Sequence, residues 1–154
     1  MEIIALILLS FAYLVSCTNP YYIPNIKANW HQAFDHCKFN GMELVTIANH
    51  QEYNQLTAHV AQELNCTQIC AVWIGANDLA NEGTFTWAST GRRVAFTNWK
   101  SNQPDNKNDD LEEDCVEVLH HPEGNFMWQW NDSVCTHEKF FVCEKVNTCI
   151  QEFN

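Results

Sequence analysis

The spacing of hydrophobic positions changes along this chain, and each change predicts an element. The first stretch, MEIIALILLSFAYLVSC, is a nearly unbroken apolar run closing on small residues. It is short for a bilayer span and reads as a secretory signal peptide, with the amino terminus as its only positive flank. The cut falls after Cys17 or just before it, so residues 1–17 leave and residues 18–154 form one domain. YYIPNIKANW, with β-favouring residues around a proline, reads as a strand entering that domain. Asn29 can cap a helix from Trp30 to Phe39, where Trp30, Ala33, Phe34 and Cys37 recur at helical spacing and Gly41 ends the run. MELVTI reads as a short strand. HQEYNQLTAHVAQELN reads as a second helix, with Leu56, Val60 and Leu64 on one face. AVWIGAND is a strand leading into a turn. Beyond it, short β-rich pieces alternate with polar loops and no helical period returns. Two early helices and late strands predict an α+β domain, and no repeat, linker or low-complexity tract marks a second one.

Charge narrows the partners. The 154 residues carry 8 Lys and Arg against 19 Asp and Glu, a formal net charge of −11, and only Glu2 leaves with the signal. Such a surface does not bind nucleic acid through its phosphates, which takes clustered Lys and Arg. It suits a protein that holds cations or stays soluble by repulsion. No second apolar run follows the first, so membrane insertion of the mature chain is not expected.

Cysteine usage adds a framework. Cys17, Cys37, Cys66, Cys70, Cys115, Cys135, Cys143 and Cys149 in a small exported chain point to disulfides. If Cys17 leaves, the remaining number is odd, and one thiol is free or bonded to another chain. Cys66 and Cys70 can close a small local ring; they lack nearby partners for a zinc site. Asn65-Cys66-Thr67 is a glycosylation sequon, and Asn131-Asp132-Ser133 is formally another.

The chemistry concentrates in NWKSNQPDNKNDDLEEDC, residues 98–115, where Asp105, Asp109, Asp110, Glu112, Glu113 and Asp114 crowd together. Charge this dense reads either as a solvated acidic loop or as the cradle of a cation. A hard dication such as Ca²⁺ takes six to eight oxygens from carboxylates, amides and backbone carbonyls. Gln103, Asp105, Glu113, Asn131 and Asp132 offer that mixture from two separated segments. No GxSxG, HExxH or phosphate-cradling glycine loop is present, and no apolar pocket is evident for the general acid of a glycosidase, so the chain does not read as an enzyme. His120 and His121 read as solvated loop. Trp128 and Trp130, alternating, read as one buried strand face.

WIG at 73–75, NW at 98–99, QPD at 103–105, EDC at 113–115, WND at 130–132 and the closing Cys143 stand in an order that resembles the C-type lectin-like domain, of the small secreted insect type. The resemblance covers nearly all of residues 18–154 and implies a carbohydrate-recognition domain. It implies that Gln103, Asp105, Glu113, Asn131 and Asp132 hold Ca²⁺ and bind sugar hydroxyls at once, with a cis bond before Pro104. The order amide first, acid third around Pro104 is similar to that of galactose and N-acetylgalactosamine binders; mannose binders have the reverse. Asp105 is followed by NKNDDLE, which lacks the tryptophan and glycines of strong galactose selectors, so Trp128 or His121 is the candidate stacking partner. The resemblance also places a second Ca²⁺ among Asp78, Glu82, Asn106, Glu113 and Asp114, and leaves Asp109, Asp110 and Glu112 as solvated surface. It pairs Cys37 with Cys143 and Cys115 with Cys135. Cys149 is then left for an interchain bond making a homodimer, or for Cys17 if that residue stays. A glycan is expected on Asn65 and not on Asn131, whose amide the metal needs. The function implied is a secreted Ca²⁺-dependent lectin for galactose-class glycans, in haemolymph defence or equally in reproductive fluid or saliva. The alternative is a domain of the same fold that binds a protein partner or acts as a secreted inhibitor.

Overall fold

A computed structural model describes residues 20–107 and 111–146. The signal segment, Cys17, Asp109, Asp110 and Cys149 lie outside the described residues.

Strand β1 (Tyr21–Tyr22) is followed by helix α1 (Trp30–Phe39), strand β2 (Glu43–Leu44) and helix α2 (His50–Glu63). Strands β3 (Cys70–Asn77), β4 (Thr86–Trp87), β5 (Cys115–His121), β6 (Phe126–Ser133), β7 (Phe140–Phe141) and β8 (Cys143–Glu144) complete the chain. This is the expected α+β order. Helix α1 starts where its cap predicts. The Asn29 side chain accepts from the Gln32 amide at 2.9 Å, and the Gln32 side chain accepts from the Asn29 amide at 3.2 Å, a reciprocal capping box. Helix α2 begins on Asn49, whose side chain accepts from the Glu52 amide, and stops at Glu63, short of the predicted Asn65. Its Leu56 and Val60 are buried and Leu64 is half-buried.

The strand expected over YYIPNIKANW shrinks to Tyr21–Tyr22. Pro24 has no amide proton to continue a ladder, and the chain rejoins β structure only at Ala28, bridged to Lys139. MELVTI likewise yields only Glu43–Leu44, although Val45 still donates to the Val142 carbonyl. His120 and His121, expected in a loop, lie in β5, because the ladder with β6 runs on to the His121–Phe126 pair.

Two sheets result. One has the order β1-β8-β2; the other runs β4-β3-β5-β6, with β7 parallel to β3. Gly75 marks where they meet: a Cβ there would lie 2.9 Å from the Leu44 carbonyl oxygen, so only glycine lets β3 pass β2 this closely. One core cluster gathers Val45, Ile47, Leu56, Val72, Ile74, Val118 and Trp130 under α2. The other packs Trp30, Ala33, Leu44, Trp73 and Phe141 under α1. Disulfides join Cys37 to Cys143, Cys115 to Cys135 and Cys66 to Cys70, the expected set.

Candidate functional site

Backbone pairing assembles the site. Asn98 leaves the region of β4, and its carbonyl accepts from the Trp130 amide at 2.8 Å, while the Lys100 amide donates to the Trp130 carbonyl at 3.0 Å. The NW segment is thereby laid alongside WND. A turn from Lys100 to Gln103, closed by a 2.9 Å bond, then delivers Gln103-Pro104-Asp105 beside Asp132. The peptide before Pro104 is cis, as the family resemblance implies. From the other side, Cys115 pairs with Ser133 and bonds to Cys135, which brings Glu113 to the same place.

Asp105, Glu113 and Asp132 converge, each offering a carboxylate oxygen within 4.8 Å of the others. Asp132 Oδ2 accepts from the amides of Asp105 at 2.9 Å and Asn106 at 2.7 Å. Glu113 Oε2 accepts from the Lys107 amide at 3.2 Å. Two acceptors of the predicted set are buried without a donor among the described residues: Asp132 Oδ1 and Gln103 Oε1. Asn131 sits across the ladder from Glu117; its Nδ2 donates to Glu117 Oε1 at 3.0 Å and to the Asp132 carbonyl at 2.6 Å. The structure therefore gathers Asp105, Glu113 and Asp132 into one carboxylate cluster, with Gln103 before the cis peptide next to Asp105 and Asn131 next to Asp132 in β6, its Nδ2 turned to Glu117. Burial pushes the Asp132 carboxyl above its ordinary range; the Asn106 amide opposes this, and the Asp105 charge adds to it.

A second cluster lies next to it. The Asp78 amide donates to the Asp114 carbonyl at 3.0 Å because Asn77 pairs with Cys115 at the end of β3. Asp78, Glu82 and Asp114 then share one point within 4.8 Å. Burial is the main cause lifting the Asp78 carboxyl to about 6; the Gly83 amide at 2.8 Å opposes, and Glu82 and Asp114 reinforce. Asp78 Oδ1 is buried with no donor among the described residues. Asn106, expected in this set, instead braces the first cluster: its Oδ1 accepts from the Glu113 amide at 2.6 Å and its own amide donates to Asp132 Oδ2.

Unpaired buried acceptors beside crowded carboxylates are costly unless a positive partner meets them. Oxygen-only donors fit a hard dication such as Ca²⁺ at both places: carboxylates with the Gln103 amide nearby at the first, carboxylates alone at the second.

The proposed stacking partners are elsewhere. Trp128 is the extra residue of a β-bulge, with φ at 59°, and its ring stacks on His120 at 4.8 Å. The His120 end of the ladder stands four residues from the Val116–Asp132 pair, roughly 13 Å at about 3.3 Å per residue. Trp128 is half-buried where its neighbour Trp130 is fully buried, because the bulge turns it out of the common face. Asn65 is exposed, while Asp132 and Ser133 of the other sequon are buried in β6. Among the described residues no helix is long and apolar enough to cross a membrane. Glu117 carries no motif; its only sequence signal is an acid inside the apolar run CVEVL.

Comparison with known proteins agrees with the fold. The family described as Lectin C-type domain matches residues 26–145. A protein named Salivary C-type lectin 1 from Aedes albopictus is 40% identical over 132 residues, covering 84% of each chain. The carbohydrate-recognition domain of mouse scavenger receptor C-type lectin superposes with a TM-score of 0.70 at 28% identity, covering 83% of this chain and 90% of that one. The cow CD23 domain, whose structure was determined in the presence of a GlcNAc2Man3 oligosaccharide, superposes at 0.68 with 28% identity, covering 84% and 88%.

Proposed function

Since the chain belongs to the C-type lectin family, whose members are carbohydrate binders rather than enzymes, we propose that it is a secreted, Ca²⁺-dependent lectin for galactose-class glycans. One observation carries the reading. Asp132 Oδ1, in the Asp105–Glu113–Asp132 cluster, and Gln103 Oε1, two residues from Asp105, are buried acceptors without donors among the described residues. A protein that only presents this face to another protein has no use for such atoms, and they cost free energy until a cation meets them.

Gln103, Asp105, Glu113, Asn131 and the side chain and carbonyl of Asp132 are the proposed holders of the ion. When bound, Ca²⁺ supplies open coordination positions that two vicinal sugar hydroxyls fill. The carboxylates of Asp105 and Glu113 accept the hydroxyl protons, and the Gln103 amide donates back. The acid thus stands on the Asp105 side and the amide on the Gln103 side, the order that supports the galactose class. Asp78, Glu82 and Asp114, with Glu113 nearby, are proposed to take a second ion that braces the loop. Secretion rests on the signal segment, and saliva is the proposed fluid because of the name of the Aedes albopictus relative; an immune role there is part of the same proposal. Cys149 is proposed to bond a second copy, which multiplies weak single-site affinity.

A glycan array in Ca²⁺ and in chelator tests this. Galactose and N-acetylgalactosamine spots should light only with Ca²⁺. Chelator-resistant binding, or mannose binding without galactose, contradicts the proposal.

A further inference from the structure

The structure assigns Glu117 a role as the positioning residue that sets which end of the Asn131 amide faces the cation site. This rests on the lectin reading above and adds to it a residue that no motif marks.

Trp73 in β3, Glu117 in β5 and Asn131 in β6 form one row across three paired strands, so WIG and WND are joined through a single acid. Glu117 is 3% exposed. Its Oε1 accepts from Asn131 Nδ2 at 3.0 Å, and its Oε2 accepts from Lys139 Nζ at 2.7 Å. Lys139 is fixed in turn: it donates to Ser133 Oγ at 3.0 Å, lies 4.6 Å over the Trp73 ring, and its backbone exchanges two bonds with Ala28.

An asparagine side chain is nearly symmetric in shape and opposite in polarity at its two ends. A cation needs the oxygen, so something must hold the amide the right way round. A carboxylate paired with an ammonium has only acceptors to offer. Oε1 therefore engages Nδ2 and turns Oδ1 away from Glu117. The Asp132 carbonyl takes the other Nδ2 proton, so both donors are spent on the protein and the oxygen is the end left for metal. A buried ion pair is seldom kept for stability, since apolar replacements of similar size are often neutral or better. Orienting a metal ligand is a reason to keep one.

The test compares wild type with Glu117→Met/Lys139→Met, which removes both charges together and leaves no buried ion unpaired. Calorimetry should give Ca²⁺ binding weaker by about tenfold to a hundredfold, while melting in chelator stays near that of wild type. In wild type in chelator, the Asn131 side-chain amide protons should show by NMR slow exchange with solvent, and this protection should vanish in the double variant. A second background isolates polarity: in Asn131→Asp the ligand has no wrong end and faces Glu117 with like charge, so adding Glu117→Gln should tighten Ca²⁺ rather than weaken it. Double-variant affinity within twofold of wild type, or equal weakening by Glu117→Gln in both backgrounds, overturns the role of Glu117. No Ca²⁺ binding by wild type overturns the lectin reading itself, which is a separate result.

Discussion

Gln103 and Asp105 are separated by one proline, yet on the proposed reading they would meet a sugar hydroxyl in opposite ways. An amide can donate to it; an ionised acid can only accept from it. Exchanging them in Gln103→Glu/Asp105→Asn leaves the number of oxygens unchanged and reverses the direction of the hydrogen bonds. The expected outcome is Ca²⁺ binding within a few-fold of wild type, with preference on a glycan array moving from galactose to mannose. Galactose binding that persists with no gain for mannose would place specificity outside these two residues. NKNDDLE supplies no aromatic face, and Trp128 and His120 are occupied with each other at the turn end of their ladder. On the proposed reading, that leaves polarity around Pro104 as the lever for selectivity.

Elements that follow from local chemistry were legible, and those that follow from crossing geometry were not. Helix α1 begins and ends as its cap and apolar period require, because Asn29 and Gln32 settle the first turn between themselves. Strand β1 was legible to length only through Pro24, which lacks the amide proton a longer ladder needs, whereas nothing local to MELVTI ends β2 at Leu44. Gly75 shows the point. In sequence it is one letter of WIG; in the fold its missing side chain makes room for the Leu44 carbonyl. Gly75→Ala should force β2 from β3 and lower the melting temperature, by an amount matching about 1–3 kcal/mol for overpacking. An unchanged melting curve would mean that the sheets separate at no cost. The carboxylate cluster was legible where motif residues carry their own oxygens, as in Asp105, Glu113 and Asp132. The site was not legible at Glu117 or in the detour of Asn106. The partner of Glu117 depends on which residue a ladder places opposite it, and register is a property of paired strands; Asn106 turns on the path of a loop outside any strand.

At the scale of the molecule, the upward carboxyl shifts act together. Asp78, Asp132 and Glu144 are each pushed above their ordinary range, burial being the leading cause in every case. A carboxyl whose folded value exceeds its unfolded one binds its proton more tightly when folded. Its cost to stability is absent below the unfolded value near 4, grows through the interval, and is fully present above the folded value, about 6 for Asp78. The net charge of −11 adds self-repulsion in the same direction. In chelator, the protein should therefore melt higher at pH 5 than at pH 7. In Ca²⁺ the order should reverse, because the cation offsets the crowding of Asp78 and Asp132 only while these groups are ionised, and protons compete for the same oxygens. Melting curves with and without Ca²⁺ should converge as pH falls from about 6 to about 4, and protein held on galactose resin should elute over that window. Curves that stay separated at pH 4, or resin binding that survives there, would mean that these carboxylates do not hold the metal.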